Sequence, residues 1–307
     1  MTILEMIGRT GVYPLRRMVK KDTARVLLKL EYENPTGSMK DRMALAMVEA
    51  AEADGRLRPG GAVVEYTGGS TGVSLAFVCA AKGIPLHIVT SNAYSKEKRD
   101  HMKALGAQLT LVPSADGGTT KALTLAMIDR ARELAEAPGS YWTDQLNNAD
   151  QLTSYERMGA EIWEQTDGSI DAFVQSVGTA GSLRGISTHL RARNEAVRIV
   201  AVEPEESAVL SGGPSGSHKI EGVGAGFVVP LWKDGLADEI QTVSTEEAMA
   251  TARRLAREEG IFAGTSTGGN VAVALRTAQR LGAGKTVVTL AVDSGMKYLS
   301  TALYARE

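Results

Sequence analysis

The sequence has a single cysteine, Cys79, and only four histidines. One cysteine cannot form an intramolecular disulfide, which fits a reducing compartment. Cys79 falls within an apolar run, where we expect it to pack in a core rather than react. The histidines lack the spacing of metal ligands, so no metal site is predicted. No apolar run has the length of a signal peptide or a bilayer span. A cytoplasmic protein without membrane insertion is therefore expected.

An excess of charge of either sign is absent as well. The net charge is -2, which gives no support for nucleic-acid binding or for binding at a membrane surface. The 307 residues, 43% of them hydrophobic, are enough to bury the core of one large or two moderate domains. Glycine is plentiful at 33 residues, and much of it falls in loops between apolar runs and helical patterns.

Short apolar runs alternate with helical patterns along the chain. The predicted strands cover residues 24–32, 62–66, 86–89, 109–112, 172–177, 198–202 and 286–291. The predicted helices begin near residues 41, 73, 95, 119, 182, 246 and 270. This alternation is typical of an α/β fold whose parallel strands are flanked by helices. Residues 206–227 show no period, and a loop of that length in a compact chain is usually functional or disordered.

One loop carries a lysine at its junction with a helix. Residues 34–42 read Asn-Pro-Thr-Gly-Ser-Met-Lys-Asp-Arg, a turn followed by a helical pattern that should end at Gly55. Lys40 can therefore point into a cleft, although most lysines are solvated surface residues. Such an amine becomes a useful nucleophile when it is desolvated or held near other cations.

Three further loops are rich in glycine and hydroxyl residues. Glycines let backbone N–H groups surround an anion, and a helix N-terminus adds positive charge. Gly178–Ser182 is thus a candidate phosphate site, although it matches neither the P-loop nor the dinucleotide pattern. The hydroxyls of Thr67–Gly72 could hold a carboxylate. Ser266 begins a helix, where a plain N-cap is the alternative interpretation.

Together these motifs resemble the cysteine synthase (O-acetylserine sulfhydrylase) and cystathionine β-synthase family, pyridoxal-phosphate enzymes of fold type II. Lys40 in its motif looks like the cofactor lysine, and Gly178–Ser182 is similar to the family phosphate loop Gly-Thr-Gly-Gly-Thr. Residues 159–168, 201–227 and 293–303 are also close to the family pattern, so the resemblance covers nearly the whole chain.

The resemblance implies a tryptophan synthase β-like fold of two domains, each a mostly parallel twisted sheet flanked by helices. Residues 1–42 plus 148–307 would form the larger, cofactor-binding domain. Residues 43–147 would form the smaller, mobile domain on the substrate side.

The resemblance also assigns site residues. Those implied to bind pyridoxal phosphate are Lys40, Ser70, Gly178, Thr179, Ala180, Gly181, Ser182 and Ser266, with Lys40 also catalytic. Those implied to bind the substrate are Thr67, Gly68, Thr71, Gln145 and Gly222.

The implied activity is β-replacement on an O-activated serine through an aminoacrylate intermediate. Sulfide or another small nucleophile would add to give cysteine or a related β-substituted alanine. Two alternatives stay open: a β-eliminating lyase, such as a serine/threonine dehydratase or cysteine desulfhydrase, and a non-catalytic homologue that binds a partner. A homodimer and binding of serine acetyltransferase are also implied.

The substrate loop departs from the family sequence Thr-Ser-Gly-Asn-Thr-Gly. Gly68 lacks the serine hydroxyl, and Ser70 is shorter than the asparagine that contacts the cofactor ring oxygen. Either donor binding is weakened by about one to two powers of ten, or the vacated space admits a bulkier donor. We expect the second outcome. Nearby, the charged run at residues 96–100 predicts a solvated helix face.

Overall fold

The computed structural model describes residues 2–114 and 117–305. Within them the strands are β1 (Val12–Pro14), β2 (Arg25–Lys29), β3 (Ala62–Tyr66), β4 (Leu86–Ser91), β5 (Gln108–Val112), β6 (Ser140–Trp142), β7 (Ala172–Ser176), β8 (Arg198–Pro204), β9 (Glu239–Val243) and β10 (Thr286–Leu290). The α-helices are α1 (Lys40–Asp54), α2 (Ser70–Lys82), α3 (Lys96–Ala104), α4 (Lys121–Ala135), α5 (Gln151–Gln165), α6 (Gly181–Arg193), α7 (Thr245–Arg254) and α8 (Thr265–Leu281).

The strands form two sheets. Among the described residues, one sheet has six strands in the order β1-β2-β10-β7-β8-β9, and the other has four in the order β5-β4-β3-β6. All the strand pairs are parallel except β1 with β2. The predicted α/β class with mostly parallel sheets is confirmed. The domain boundaries at residues 42 and 147 stay a prediction.

The central strands were predictable because helices cover both faces of a parallel sheet. All five residues of β7 and all five of β10 are buried, so each strand appears in the sequence as an apolar run with few polar breaks. Strands β1, β6 and β9 were not predicted. The first two have only three residues each, which carry no recognisable period. The helix predicted over 246–259 is α7 followed by a π-turn at Leu255–Glu259. No helix of the described chain is both long and apolar enough to cross a membrane.

A buried ionic network anchors α1 to the rest of the chain. Arg42 donates two hydrogen bonds to Glu31, each over 2.8 Å, and Nη1 donates to Glu161 Oε1 over 2.7 Å. Lys29, fully buried, donates to Glu161 Oε2 over 2.6 Å. Glu161 lies on α5, so its carboxylate links α5 to Arg42 on α1 and to Lys29 on β2.

Replacing Glu161 by glutamine is expected to destabilise the fold by about 3 kcal/mol at neutral pH, because the buried Lys29 and Arg42 lose a charged partner. Burial opposes ionisation, but hydrogen bonds and charge from Arg42 and Lys29 win and lower the pKa of Glu161 to about 2. The carboxylate therefore stabilises the fold above the unfolded-state pKa of about 4.3. That contribution disappears as the pH falls towards 2.

Thermal unfolding of the wild type and Glu161→Gln between pH 7 and pH 2 measures this effect. Their difference in melting temperature should shrink progressively below about pH 4.5. Glu164→Gln, an exposed change of the same charge on the same helix, is the control. A constant difference across this range would contradict the network interpretation.

Candidate active site

The predicted site loops converge on one cleft because they follow the carboxyl ends of parallel strands, where sites of α/β folds lie. Thr67–Gly72 follows β3, Gln145 follows β6, and Gly178–Ser182 follows β7. The predicted site residues lining the cleft are Lys40, Thr67, Gly68, Ser70, Thr71, Gln145, Gly178, Thr179, Ser182, Gly222 and Ser266. Ala180 and Gly181 lie in the same loop but are not lining residues.

Lys40 occupies the first position of α1, and its chain neighbours are fixed. Thr36 donates its backbone N–H to Asp41 over 2.8 Å and its hydroxyl to the same carboxylate over 2.5 Å. A carboxylate in the first helical turn also interacts favourably with the helix dipole. With Asp41 and Arg42 both anchored, the Lys40 side chain is directed into the cleft.

The amine of Lys40 is electrostatically prepared for chemistry near neutral pH. Burial, aided by the charge of Lys98 and opposed by Asp293, lowers its pKa to about 8. An unperturbed lysine titrates near 10.4. A much larger fraction of Lys40 is therefore uncharged at neutral pH, as imine formation and proton abstraction both require.

The glycine loop after β7 is built as an anion cradle. It runs into α6, whose first residue is Gly181, so free backbone N–H groups and the helix dipole meet there. A Cβ at Gly178 would lie 2.5 Å from the carbonyl oxygen of Gly222, and one at Gly181 would lie 2.1 Å from Gln151 Oε1. Neither position has room for a side chain, so the loop is held close to its surroundings.

Ala180 stands where the family phosphate loop has glycine, and its backbone conformation is unfavourable for alanine. Its φ of 67° lies in the left-handed region that glycine adopts freely. Thr179 donates its hydroxyl to Gln151 over 2.8 Å and accepts the N–H of Gly181 over 3.2 Å. Gln151 also donates to the backbone oxygen of Gln145 over 2.7 Å, so one buried side chain couples the anion loop to the substrate side.

These groups fit pyridoxal phosphate. Lys40 supplies the amine, the loop at the start of α6 suits a phosphate, and Ser266 in the first turn of α8 places a buried neutral hydroxyl at the cleft. A neutral hydroxyl suits a pyridine nitrogen without enforcing its protonation.

The residues implied to bind the substrate carboxylate form one hydrogen-bonded group. Thr71 donates its hydroxyl to Gln145 Oε1 over 2.8 Å, and Gln145 Nε2 donates to the carbonyl oxygen of Tyr66 over 2.7 Å. Thr67 Oγ1 accepts the N–H of Gly69 over 2.9 Å, which shapes the loop. Glu65, fully buried, accepts the N–H of Gln145 over 2.9 Å. Burial raises its pKa to about 7.

The expectation that Gly68 leaves vacant space is wrong. A Cβ at Gly68 would lie 2.9 Å from Cε1 of Tyr94, whose ring is buried at the cleft wall. Tyr94 follows β4, in sequence 26 residues from Gly68, so nothing in the loop itself showed that a ring fills the gap.

Ser70 has a partner that the sequence did not reveal. Its hydroxyl donates to Asp293 Oδ2 over 2.7 Å, which links the first residue of α2 to the turn after β10. Any contact of Ser70 with a bound cofactor would therefore be made while its hydroxyl proton is donated to Asp293.

The prediction of a solvated face for residues 96–100 is wrong at one position. Lys98 is only 2% exposed and lines the cleft, where its Nζ donates to Glu221 Oε2 over 2.7 Å. Its stem passes so close to Gly69 that a Cβ there would lie 2.3 Å from Lys98 Cδ. The sequence did hold a signal for the burial of Lys98. It lies one helical turn before Met102, so both side chains are on the same buried face of α3.

Comparisons with known proteins agree with the geometry. The family model described as "Pyridoxal-phosphate dependent enzyme" matches residues 3–293. The chain is 44% identical over 305 residues to the cysteine synthase of Staphylococcus aureus (strain Mu50 / ATCC 700699), covering 99% of this chain and 96% of that protein.

Solved structures give the same result. An O-ureido-L-serine-bound mutant of O-ureido-L-serine synthase is 38% identical with a TM-score of 0.93, covering 99% of this chain and 93% of that one. The cysteine synthase of Entamoeba histolytica is 37% identical with a TM-score of 0.91, covering 100% and 91% respectively. The expected fold type and cofactor are confirmed. The chain belongs to the family of pyridoxal-phosphate-dependent enzymes.

Proposed function

We propose that the chain is a cysteine synthase-like transferase that catalyses β-replacement on an O-activated serine, with sulfide as the nucleophile and cysteine as the product. One observation carries the proposal: a single cleft joins the lowered-pKa amine of Lys40, an anion loop at a helix N-terminus, and the Thr71–Gln145 pair. The 44% identity to a cysteine synthase over nearly the whole chain supports the same reaction.

On the cofactor side, we assign the phosphate to the loop Gly178–Ser182, the pyridine nitrogen to Ser266, the ring oxygen to Ser70, and the covalent attachment to Lys40. When bound, pyridoxal phosphate delocalises the negative charge left by removal of a proton from the substrate α-carbon. Lys40 Nζ accepts that proton, because its lowered pKa leaves a larger fraction of the amine uncharged near neutral pH than in an ordinary lysine.

On the substrate side, Thr67, Thr71 and Gln145 bind the amino-acid carboxylate, with Gly68 providing the backbone beside them. Glu65 holds the Gln145 backbone in place. Gly222 closes the opposite wall, where its carbonyl oxygen faces Gly178.

Three further features belong to the proposal. Residues 43–147 form a smaller domain that moves against residues 1–42 plus 148–307, which the two separate sheets support. The chain is a cytoplasmic homodimer, and the exposed apolar side chains of Ile3 and Met6 suit a contact between copies. Its protein partner is a serine acetyltransferase, which would engage the cleft through its C-terminal tail.

The test is to mix the purified protein with a panel of O-substituted serines, O-acetylserine among them, with and without sulfide. β-Replacement predicts that sulfide accelerates donor consumption and that one cysteine forms for each donor consumed. Pyruvate formation at the same rate without sulfide would identify a β-eliminating lyase instead. Absence of any turnover by protein that has bound pyridoxal phosphate would favour the non-catalytic, partner-binding alternative.

A further inference from the structure

Asp293 lies on the turn that follows β10, and it lines the same cleft as Lys40, with which it interacts electrostatically. The main chain of this turn is bonded to the segment before α1. Met39 N donates to the oxygen of Val292 over 3.0 Å, and Ser294 N donates to the oxygen of Gly37 over 3.0 Å. Val292, Asp293 and Lys40 all line the cleft. The backbone geometry therefore fixes this carboxylate next to the first residue of α1.

The two oxygens of the Asp293 carboxylate differ in their surroundings. Oδ2 accepts the hydroxyl of Ser70 over 2.7 Å and the hydroxyl of Tyr298 over 2.9 Å. Oδ1 is buried and accepts no hydrogen bond from any described residue. The side chain as a whole is 2% exposed. A carboxylate so poorly solvated requires positive charge nearby.

That positive charge comes from lysines on three elements. The ionisable groups that interact with Asp293 or with the amine of Lys40 are Lys40 on α1, Lys98 on α3, Glu221 in the loop before β9, Lys297 and Tyr298 on the turn Gly295–Tyr298, and Tyr304. Lys98 is already paired with Glu221. Lys297 Nζ is buried without a hydrogen-bond partner among the described residues. Asp293 is thus the carboxylate that faces Lys40, and it shares the charge of Lys297 with Asp41 on α1.

We propose that Asp293 is a positioning residue of this site: it supplies the negative charge that Lys40 faces and, through Ser70, ties the Thr67–Gly72 loop to the Lys40 side of the cleft. Its role in turnover rests on the proposed function, whereas its effect on the Lys40 amine does not. Because a nearby carboxylate favours the protonated amine, its removal lowers the proton affinity of Lys40. Loss of the Ser70 hydroxyl frees the loop but leaves that charge in place.

The test measures the titration of Lys40 directly in the full chain without cofactor. Competitive acetylation over a pH series, read by mass spectrometry of the Lys40 peptide, gives the midpoint of its titration. Asp293→Asn should lower this midpoint by about one pH unit. Ser70→Ala and Tyr298→Phe each remove one hydrogen bond to Oδ2 but keep the charge, so their midpoints should stay near the wild-type value. An unchanged midpoint in Asp293→Asn would overturn the proposal.

The effect of the Ser70–Asp293 hydrogen bond on the Thr67–Gly72 loop is tested by hydrogen–deuterium exchange of the peptide that contains residues 67–72. Exchange should be faster in Ser70→Ala than in the wild type or Tyr298→Phe, and equal rates in all three would refute the tie. If Asp293→Asn does not fold by circular dichroism, Asp293→Glu replaces it. That variant retains the charge, so its Lys40 midpoint should remain close to the wild type; a fall of one unit would count against the proposal. A wild type inactive with every donor refutes the proposed function but leaves both readouts valid.

Discussion

Replacement of Lys40 by alanine is expected to lower β-replacement activity by at least about a thousandfold, since the variant loses its general base and the covalent attachment of the cofactor. The purified wild type should be yellow, and the visible absorbance of the attached cofactor should disappear in Lys40→Ala. The start of α1 should keep its position in this variant, because hydrogen bonds of Asp41 with Thr36 and of Arg42 with Glu161 hold it without the Lys40 side chain.

Two matched variants separate the chemistry of this amine from its charge. Lys40→Arg keeps a positive charge but cannot form the imine or accept a proton near neutral pH, so it should be as inactive as the alanine variant. Lys103→Ala, an exposed lysine on α3, should keep full activity and colour. A Lys40→Ala protein that stays yellow and retains a tenth of the wild-type activity would show that the essential amine lies elsewhere.

The sequence predicted the parts of the fold that depend on local pattern. Strand β3 was placed at Ala62–Tyr66 with its observed bounds because an apolar run ends directly at a glycine-rich loop. Helix α1 ended where expected because Gly55 adopts a φ of 81°, which favours glycine at a helix C-terminus. Helix α5 was not predicted as an element, although its sequence carried part of the family resemblance.

The active site likewise contains residues that the local sequence pattern predicts and residues that it does not. Lys40 and the glycine loops could be found because each motif is contiguous in the sequence. Tyr94 and Asp293 could not be found by local pattern, because their roles arise from contacts with residues far away in the chain. Lys98 looked like one charge among several on a helix surface, yet the fold places its ammonium 2.7 Å from Glu221. The departures in the substrate loop are explained only by such distant partners.

The substitution Gly68→Ser, which restores the family residue, is expected to damage the site rather than improve it. The new Cβ would lie 2.9 Å from Tyr94 Cε1 and 3.2 Å from Cζ, closer than side-chain carbons pack. Overpacking of this kind costs about 1–3 kcal/mol. If the strain falls on the substrate loop, kcat/KM for the amino-acid donor should fall about tenfold or more.

A double-mutant cycle identifies Tyr94 as the cause. Tyr94→Ala removes the ring, so Gly68→Ser should be nearly harmless in that background, with a coupling energy of about 1–3 kcal/mol. Tyr94→Phe keeps the ring and loses only the hydroxyl, so the damage from Gly68→Ser should persist. The donor panel is measured for each variant, because the serine hydroxyl should improve carboxylate binding once the ring no longer obstructs it. If Gly68→Ser has the same effect with and without the ring, the two residues act independently and Tyr94 does not compensate for the glycine.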